Sequence, residues 1–189
     1  MAEIVLFHHS QGLTPGVRAF ADDLTAAGHT VHVPDLFEGR TFDDVGSGVA
    51  HAREIGFDTV LDRGVAAAER LPAEVVYAGF SMGVMPAQKL TQTRPGAVGA
   101  LFLDACLPVD EFGSWPDGVP VQIHGGVDDE WFAEDLESAR ALAGSTPTAE
   151  LFLYSGTAHL FADSSLQGYD PAAAGLLRQR TLTFLAALS

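Results

Sequence analysis

Short runs of apolar residues alternate along the chain with longer segments in which apolar residues recur at helical spacing. Residues 4–7 and 75–78 are entirely apolar, which is typical of strands buried on both faces of a sheet. After the first run, apolar residues return every three or four positions at Val17, Phe20 and Leu24, the period of an amphipathic helix. Strands that alternate with helices indicate βαβ units, so the pattern predicts an α/β fold with a parallel sheet.

The same reading along the whole chain predicts about six strands in one domain. The predicted strands are residues 4–7, 29–33, 75–78, 98–106, 119–124 and 149–154. The predicted helices are residues 17–27, 59–71, 130–143 and 171–188, with another that ends near residue 94. Residues 36–56 contain four glycines and no clear period, so we interpret them as a loop, with room for a short helix, at the rim of a pocket. We expect a doubly wound, mostly parallel sheet in a single domain over residues 1–189.

Composition and charge narrow the possible partners and the compartment. The net charge of −15 argues against nucleic acid or an anionic membrane surface as a partner, because both require a basic patch. The single cysteine, Cys106, cannot form an intramolecular disulfide, and the N-terminus lacks the basic and apolar regions of a signal peptide. No apolar stretch approaches the roughly 20 residues of a membrane span. We therefore expect a soluble, cytoplasmic protein.

The sequence Gly79-Phe80-Ser81-Met82-Gly83 fits the G-x-S-x-G motif, between a predicted strand and a predicted helix. In this context the motif predicts a nucleophile elbow, a sharp turn that holds the serine hydroxyl above the sheet. We expect Ser81 to have a strained backbone, and we expect no space for a Cβ atom at either glycine. The motif indicates Ser81 as a nucleophile.

A serine nucleophile needs a base, usually a histidine that a carboxylate orients. In α/β-hydrolases the chain order is serine, acid, histidine, and only His124 and His159 follow Ser81. His124 ends a predicted strand ahead of the acid that we favour, so we interpret it as structural. His159 lies in a polar loop after the last strand, from which it could reach the elbow, and we predict it as the base.

Three aspartates are candidates for the acid. We favour Asp128, because it directly follows the glycine turn that leaves a strand. The adjacent Asp129 and the earlier Asp104 are alternatives. We expect Asp129, together with Glu130, to cap the next helix instead.

The oxyanion that forms during acyl transfer needs two hydrogen-bond donors. We predict the backbone N–H groups of Met82 and of Ser10, which lies in the loop after the first strand. His8 and His9 are adjacent, but no third ligand stands at a suitable spacing, so we predict no metal site.

Several stretches together resemble the dienelactone hydrolase family of α/β-hydrolases, over nearly the full length of the chain. They are Gly12-Leu13-Thr14-Pro15, Pro34-Asp35-Leu36-Phe37, the elbow, Gly125-x-x-Asp128, and His159-Leu160-Phe161-Ala162 followed by Gly168-Tyr169. The resemblance implies a compact fold without a large lid domain, and hydrolysis of small esters or lactones without a cofactor. It assigns the nucleophile to Ser81, the acid to Asp128, the base to His159 and the oxyanion loop to Ser10.

The chain departs from the best-known members of this family at three places. Ser81 stands where they have cysteine, and His8-His9 stands where they have Gln-Glu. Asp163 aligns with an arginine of members that bind carboxylate-bearing dienelactones. We take His9 and Asp163 as candidates for the substrate pocket, and we expect neutral esters or lactones to be preferred.

Three functions are compatible with these residues. The leading hypothesis is a serine hydrolase that cleaves a small carboxylic ester or lactone through an acyl-enzyme. An acyltransferase would use the same residues, with an alcohol or amine in place of water. A non-catalytic binding protein could also keep this fold.

Overall fold

The computed structural model describes residues 1–188, and a six-stranded sheet lies at its centre. All neighbouring strands pair in parallel, in the order β2-β1-β3-β4-β5-β6. The strands are β1 (Glu3–Phe7), β2 (Thr30–His32), β3 (Val75–Phe80), β4 (Ala97–Leu103), β5 (Val121–Gly126) and β6 (Ala149–Tyr154). The predicted α/β fold and its six strands are confirmed.

Six α-helices connect and cover these strands. They are α1 (Pro15–Ala26), α2 (Val45–Ile55), α3 (Phe57–Ala68), α4 (Val84–Thr93), α5 (Glu130–Ser145) and α6 (Pro171–Ala187). Side chains cap several of their N-termini: Thr14 caps α1, Asp44 caps α2 and Asp170 caps α6. Among residues 1–188, none of the helices has the length and apolar character that crossing a membrane requires.

Each face of the sheet has its own apolar core, because successive side chains of a strand point to opposite faces. On one face, Leu6 and Ala78 pack with apolar residues of α1 and α6. On the other face, Phe7 and Tyr77 pack with residues of α2, α3, α4 and α5. The fold is therefore doubly wound, with helices on both faces of the sheet. No large lid covers it in the part of the chain that the structure describes.

Residues 36–56, interpreted above as a loop with room for a short helix, contain the eleven-residue helix α2, which was not located from the sequence. Gly46 and Gly48 obscured this helix in the sequence, because glycine disfavours a helix by about 1 kcal/mol relative to alanine. The structure explains why residue 48 is a glycine, because a Cβ atom there would overlap the carbonyl oxygen of Ser10. The glycine that weakens the helical pattern thus lets α2 pack against the loop that follows β1.

The strand order brings the loops of the predicted site together. β3 lies between β1 and β4, with Phe7 opposite Gly79 and Phe80 opposite Leu103. The carboxyl ends of these strands lie at one edge of the sheet. From β1 the chain adds β2 on one side and then returns to add β3 on the other side, so the order of strand addition reverses between β1 and β3. Ligands of doubly wound folds bind outside such an edge.

Candidate active site

Ser81 lies in a strained turn at the end of β3. Its backbone φ is 47°, in the left-handed region that residues other than glycine rarely adopt. A Cβ atom at Gly79 would overlap the Gly83 carbonyl oxygen, and a Cβ at Gly83 would overlap the Phe7 carbonyl oxygen. Both glycines are therefore needed for this turn. The predicted strained backbone of Ser81 and the predicted lack of space for a Cβ atom at both glycines are confirmed.

A chain of hydrogen bonds links Ser81 to a buried carboxylate through His159. The Ser81 hydroxyl donates to His159 Nε2 at 2.9 Å, and His159 Nδ1–H donates to Asp129 Oδ2 at 2.6 Å. The three residues come from the loops after β3, β6 and β5, respectively. Parallel strands bring these loops together, although His159 is 30 positions from Asp129 and 78 positions from Ser81 in the sequence. The arrangement can move a proton from a hydroxyl to an imidazole.

The carboxylate on His159 is Asp129, so the prediction of Asp128 is wrong. Asp128 is exposed in the turn, whereas Asp129 is only 1% exposed. Asp129 does cap α5 as expected, because its Oδ1 accepts from the N–H of Trp131 at 3.0 Å. Its second oxygen remains free to accept from His159, since a carboxylate offers two acceptor atoms. One side chain therefore both caps α5 and orients His159, so the two roles do not exclude each other as the choice of Asp128 assumed.

The surroundings of His159 favour its protonated form. Burial by itself lowers the pKa of His159, but the hydrogen bond to Asp129 raises it, as do the charges of Asp104, Asp129 and Asp135. The net result is a pKa above the ordinary value of 6.5. Trp131 lies beside the imidazole, with 6.0 Å between the ring centroids. An imidazolium that forms here during a reaction is therefore well stabilised.

A cavity of about 330 Å³ opens beside Ser81 and His159. Its apolar wall consists of Val45, Val49, Phe57, Met82, Met85, Ala105, Leu107 and Trp131. Its charged residues are Arg53, Asp104, Glu134 and Asp135. A mostly apolar cavity with a few polar groups is typical of a site for a small molecule.

The chain matches the model of the dienelactone hydrolase family over residues 1–189. It belongs to the dienelactone hydrolase family. Among curated proteins, none matches the chain.

Solved structures share the fold at low sequence identity. A dienelactone hydrolase-like promiscuous phosphotriesterase from metagenomic libraries matches with a TM-score of 0.75 and 16% identity, covering 100% of this chain and 87% of that one. A Xanthomonas campestris protein described as a hydrolase of the α/β superfamily matches with a TM-score of 0.66 and 19% identity, covering 99% of each chain. Esterase 2 of Thermogutta terrifontis, with propionate bound, has a TM-score of 0.62 and 18% identity, covering 100% of this chain and 84% of that one.

In this member of the dienelactone hydrolase family, Ser10 and Met82 line the same cavity as Ser81. Ser10 is buried in the loop after β1, and Met82 follows Ser81 in a short 3₁₀ helix, Ser81–Gly83. The structure therefore brings both predicted oxyanion donors to the nucleophile. Their role as donors stays a prediction.

The predicted pocket residues His9 and Asp163 do not line this cavity, so that prediction is wrong. His9 Nε2 and Asp163 Oδ2 are 2.8 Å apart in a fully buried pair, and His9 Nδ1 accepts from the N–H of Gln11. Asp163 also accepts from the hydroxyls of Thr14 and Ser165. Burial raises the pKa of Asp163, but the hydrogen bonds from His9, Ser165 and Thr14 together lower it to about 2. The pair connects the last loop to the loop after β1.

The other two histidines considered above are structural. His8 Nδ1–H donates to the His9 carbonyl oxygen and His8 Nε2 accepts from the N–H of Leu36, and burial lowers the pKa of His8 to about 4. His124 is fully buried beside Tyr154, whose hydroxyl lies 2.8 Å from His124 Nδ1. Within residues 1–188, no group of three or more His, Cys, Asp or Glu side chains could hold a metal ion.

Sequence reasoning missed part of the cavity wall. Val45 and Val49 lie on α2, the helix that its glycines obscured, and Trp131 lies in the first turn of α5. Asp104 was considered only as a triad acid, yet it lines the cavity and is 2% exposed. Burial raises its pKa to about 7. The sequence did contain a signal for this role: Asp104 lies near the end of a predicted buried strand, and ligands of doubly wound folds bind at such strand ends.

Proposed function

We propose that this protein hydrolyses small carboxylic esters or lactones, with Ser81 as nucleophile, His159 as general base and Asp129 as the acid that orients His159. The observation that carries the proposal is the unbroken chain of hydrogen bonds from Ser81 to His159 to Asp129 beside the cavity. Membership of a family of hydrolases adds to it.

In the proposed first half-reaction, Ser81 Oγ attacks the carbonyl carbon while His159 Nε2 takes the hydroxyl proton. The oxyanion of the tetrahedral intermediate accepts hydrogen bonds from the N–H groups of Met82 and Ser10. His159 then gives its proton to the leaving alkoxide, and an acyl-enzyme remains. In a lactone the leaving group stays attached to the acyl part.

Water releases the acyl group by the same route. His159 removes a proton from the water as it attacks the acyl carbonyl, and Ser81 takes the proton back as it leaves. Throughout, the hydrogen bond to Asp129 keeps the proton on Nδ1 and leaves Nε2 free to act as the base. The carboxylate also stabilises the imidazolium.

The cavity favours small, neutral substrates. About 330 Å³ is near the lower limit of typical small-molecule sites, and its wall is mostly apolar. Asp104, Glu134 and Asp135 outnumber Arg53 among its charged residues. The expected preference for neutral esters thus rests on the carboxyl groups that line the cavity. It does not rest on Asp163, whose carboxylate is hydrogen-bonded to His9, Thr14 and Ser165.

Two structures of one protein with the same fold guide the choice of probe. The Thermogutta terrifontis esterase 2 has been solved with propionate bound and also phosphoramylated by tabun. A fluorophosphonate probe tests for the same kind of reactive serine here. We expect mass spectrometry to find one label on Ser81, absent from Ser81→Ala and strongly reduced in His159→Ala. A protein that takes no label and turns over no short ester would be a binding protein on the same fold.

Hydrolysis and acyl transfer use the same residues and differ in the acceptor. Product analysis with p-nitrophenyl butyrate in water, and then with added ethanol or ethanolamine, separates them. We expect butyrate as the main product. A product dominated by the transferred ester or amide would assign acyl transfer instead.

We further propose that the chain acts as a single domain in the cytoplasm, without a cofactor and without nucleic acid or membrane partners. The net charge of −15 supports the absence of anionic partners, and the free, buried thiol of Cys106 fits a reducing compartment. Cell fractionation with an antibody to the chain tests the location.

A further inference from the structure

Buried polar atoms without a hydrogen-bond partner are concentrated at one cavity. Among residues 1–188, four buried side-chain atoms have no partner: Ser10 Oγ, Asp104 Oδ1, Asp104 Oδ2 and Thr181 Oγ1. Three of these four belong to Ser10 and Asp104, which line the cavity beside Ser81. A buried polar group without a partner loses its hydrogen bonds to water and gains none in return, which destabilises the fold, and more so if the group is charged. The chain itself supplies no partner for these atoms, and a ligand in the adjacent cavity could supply one.

The backbone of Asp104 is fixed at this place. It directly follows β4, the strand next to β3, and its N–H donates to the His124 carbonyl oxygen at 2.7 Å. Its backbone φ is 61°, so Asp104, like Ser81, has a left-handed backbone at the end of a strand. Such a conformation is strained for a residue other than glycine and often occurs at functional sites. The local structure thus keeps a carboxyl group in the cavity wall, beside the nucleophile.

The electrostatic surroundings limit what Asp104 can bind. Burial raises the pKa of its carboxyl to about 7, although His159 acts in the opposite direction. Near neutral pH both the acid and the carboxylate are therefore accessible. A hydroxyl group can accept a hydrogen bond from the acid or donate one to the carboxylate, so it pairs with both forms. An ammonium group forms an ion pair only with the carboxylate, and its charge would be desolvated against Val45, Val49 and Met85.

We propose that Asp104 is a specificity-determining residue that binds a hydroxyl group of the substrate, with Ser10 Oγ as a second hydrogen-bonding group in the same cavity. The substrate class is then a neutral ester or lactone that carries a free hydroxyl, such as a short-chain monoester of a polyol. The catalytic part of this inference rests on the proposed function. The binding part does not.

The kinetic test compares two esters of the same acid and similar size, glycerol monobutyrate and propyl butyrate. We expect the wild type to favour the hydroxylated ester in kcat/KM by about tenfold, the usual effect of one net hydrogen bond. In Asp104→Ala this ratio should fall to about one, whereas Asp104→Asn, which keeps a donor and an acceptor, should retain most of it. Glu134→Gln removes an exposed carboxylate from the same cavity and should change the ratio by less than about twofold.

Two kinetic results would overturn the inference. Equal losses on both esters in Asp104→Ala would mean that Asp104 acts through His159 or the fold and not on a substrate hydroxyl. A wild type that prefers 2-aminoethyl butyrate to glycerol monobutyrate would assign an ammonium ligand.

A binding measurement separates this inference from the proposed function. Isothermal titration of the Ser81→Ala variant with each ester needs no turnover. We expect glycerol monobutyrate to bind about tenfold more tightly than propyl butyrate, and the double variant Ser81→Ala/Asp104→Ala to lose the difference. If no ester is hydrolysed by the wild type, this Asp104-dependent difference still supports the hydroxyl site. Equal binding of both esters would overturn it.

Discussion

Asp129 Oδ2 lies 2.6 Å from His159 Nδ1, while Asp129 Oδ1 caps α5 through the N–H of Trp131. The cap fixes the carboxylate to a rigid helix end, and so it also fixes the imidazole over Ser81. The helix that follows β5 therefore positions the base, although it contributes no reacting group.

This relationship predicts a sharp difference between two neighbouring aspartates. Asp129→Asn should lower kcat for a short ester by about 10⁴-fold, because an amide does not hold the Nδ1–H tautomer of His159. Asp128→Asn, at an exposed position, should change kcat by less than about twofold. Steady-state kinetics on p-nitrophenyl acetate measures both variants. Similar losses in the two would show that Asp129 does not orient the base.

Substitutions at Ser81 and at Cys106 should differ sharply in their effect on activity. Ser81→Ala should remove several orders of magnitude of activity, since a triad acts as a unit. Burial, with the nearby Asp135, raises the pKa of the Cys106 thiol to about 12, so no thiolate is available near neutral pH. Cys106→Ala should therefore stay active, with circular dichroism to check that both variants fold. Activity that follows Cys106 and survives the loss of Ser81 would refute the elbow assignment.

The pH profile should reflect the raised pKa of His159. Protonated His159 cannot accept the Ser81 proton, so kcat/KM should rise with pH through a midpoint above the ordinary 6.5. The Asp135 carboxylate stabilises the imidazolium, so Asp135→Asn should lower the His159 pKa and move the midpoint to lower pH. Glu137→Gln, an exposed site on the same helix, is the control. A midpoint that stays fixed or rises in Asp135→Asn would contradict the assigned electrostatics.

The buried pair of His9 and Asp163 should stabilise the fold. Asp163→Ala leaves His9 and two hydroxyls without their partner, and we expect a loss of about 3 kcal/mol in the free energy of unfolding. The folded-state pKa of Asp163 is depressed, so this stabilisation is present above the ordinary value of 3.8 and disappears as the pH falls towards 2. Urea denaturation at several pH values measures it. The control is Asp22→Ala, an exposed position on α1, which should lower the free energy of unfolding by less than about 0.5 kcal/mol. Equal losses in the two variants would rule out a structural role for the pair of His9 and Asp163.

Charge in the cavity should set the preference between neutral and anionic substrates. Three carboxyl groups against Arg53 predict a higher kcat/KM for a neutral lactone than for a carboxylate-bearing one. Arg53→Gln should widen the gap, most clearly at low salt, because it removes the guanidinium of the wall. Arg40→Gln removes a charge that does not line the cavity and should leave the gap unchanged. A wild type that favours the anionic lactone would show that Arg53 dominates the cavity.

Local sequence patterns were sufficient for much of this protein. Apolar runs separated by helical periods identified the six strands, because burial on both faces of a parallel sheet requires such runs. The glycines around Ser81 identified the elbow, because its backbone leaves no space for a Cβ atom. His159 followed from chain order, since few histidines come after Ser81.

Only the tertiary structure decided among residues that are equivalent in sequence. Asp128 and Asp129 are adjacent carboxylates after the same turn, and the path of that turn buries the second and exposes the first. His9 and Asp163 are 154 positions apart, so no local pattern could reveal that each satisfies the other and neither reaches the cavity. Helix α2 was hidden because Gly48 serves a long-range contact with Ser10 that outweighs helix propensity. In each case the deciding interaction joins positions that the pattern of a single segment does not connect.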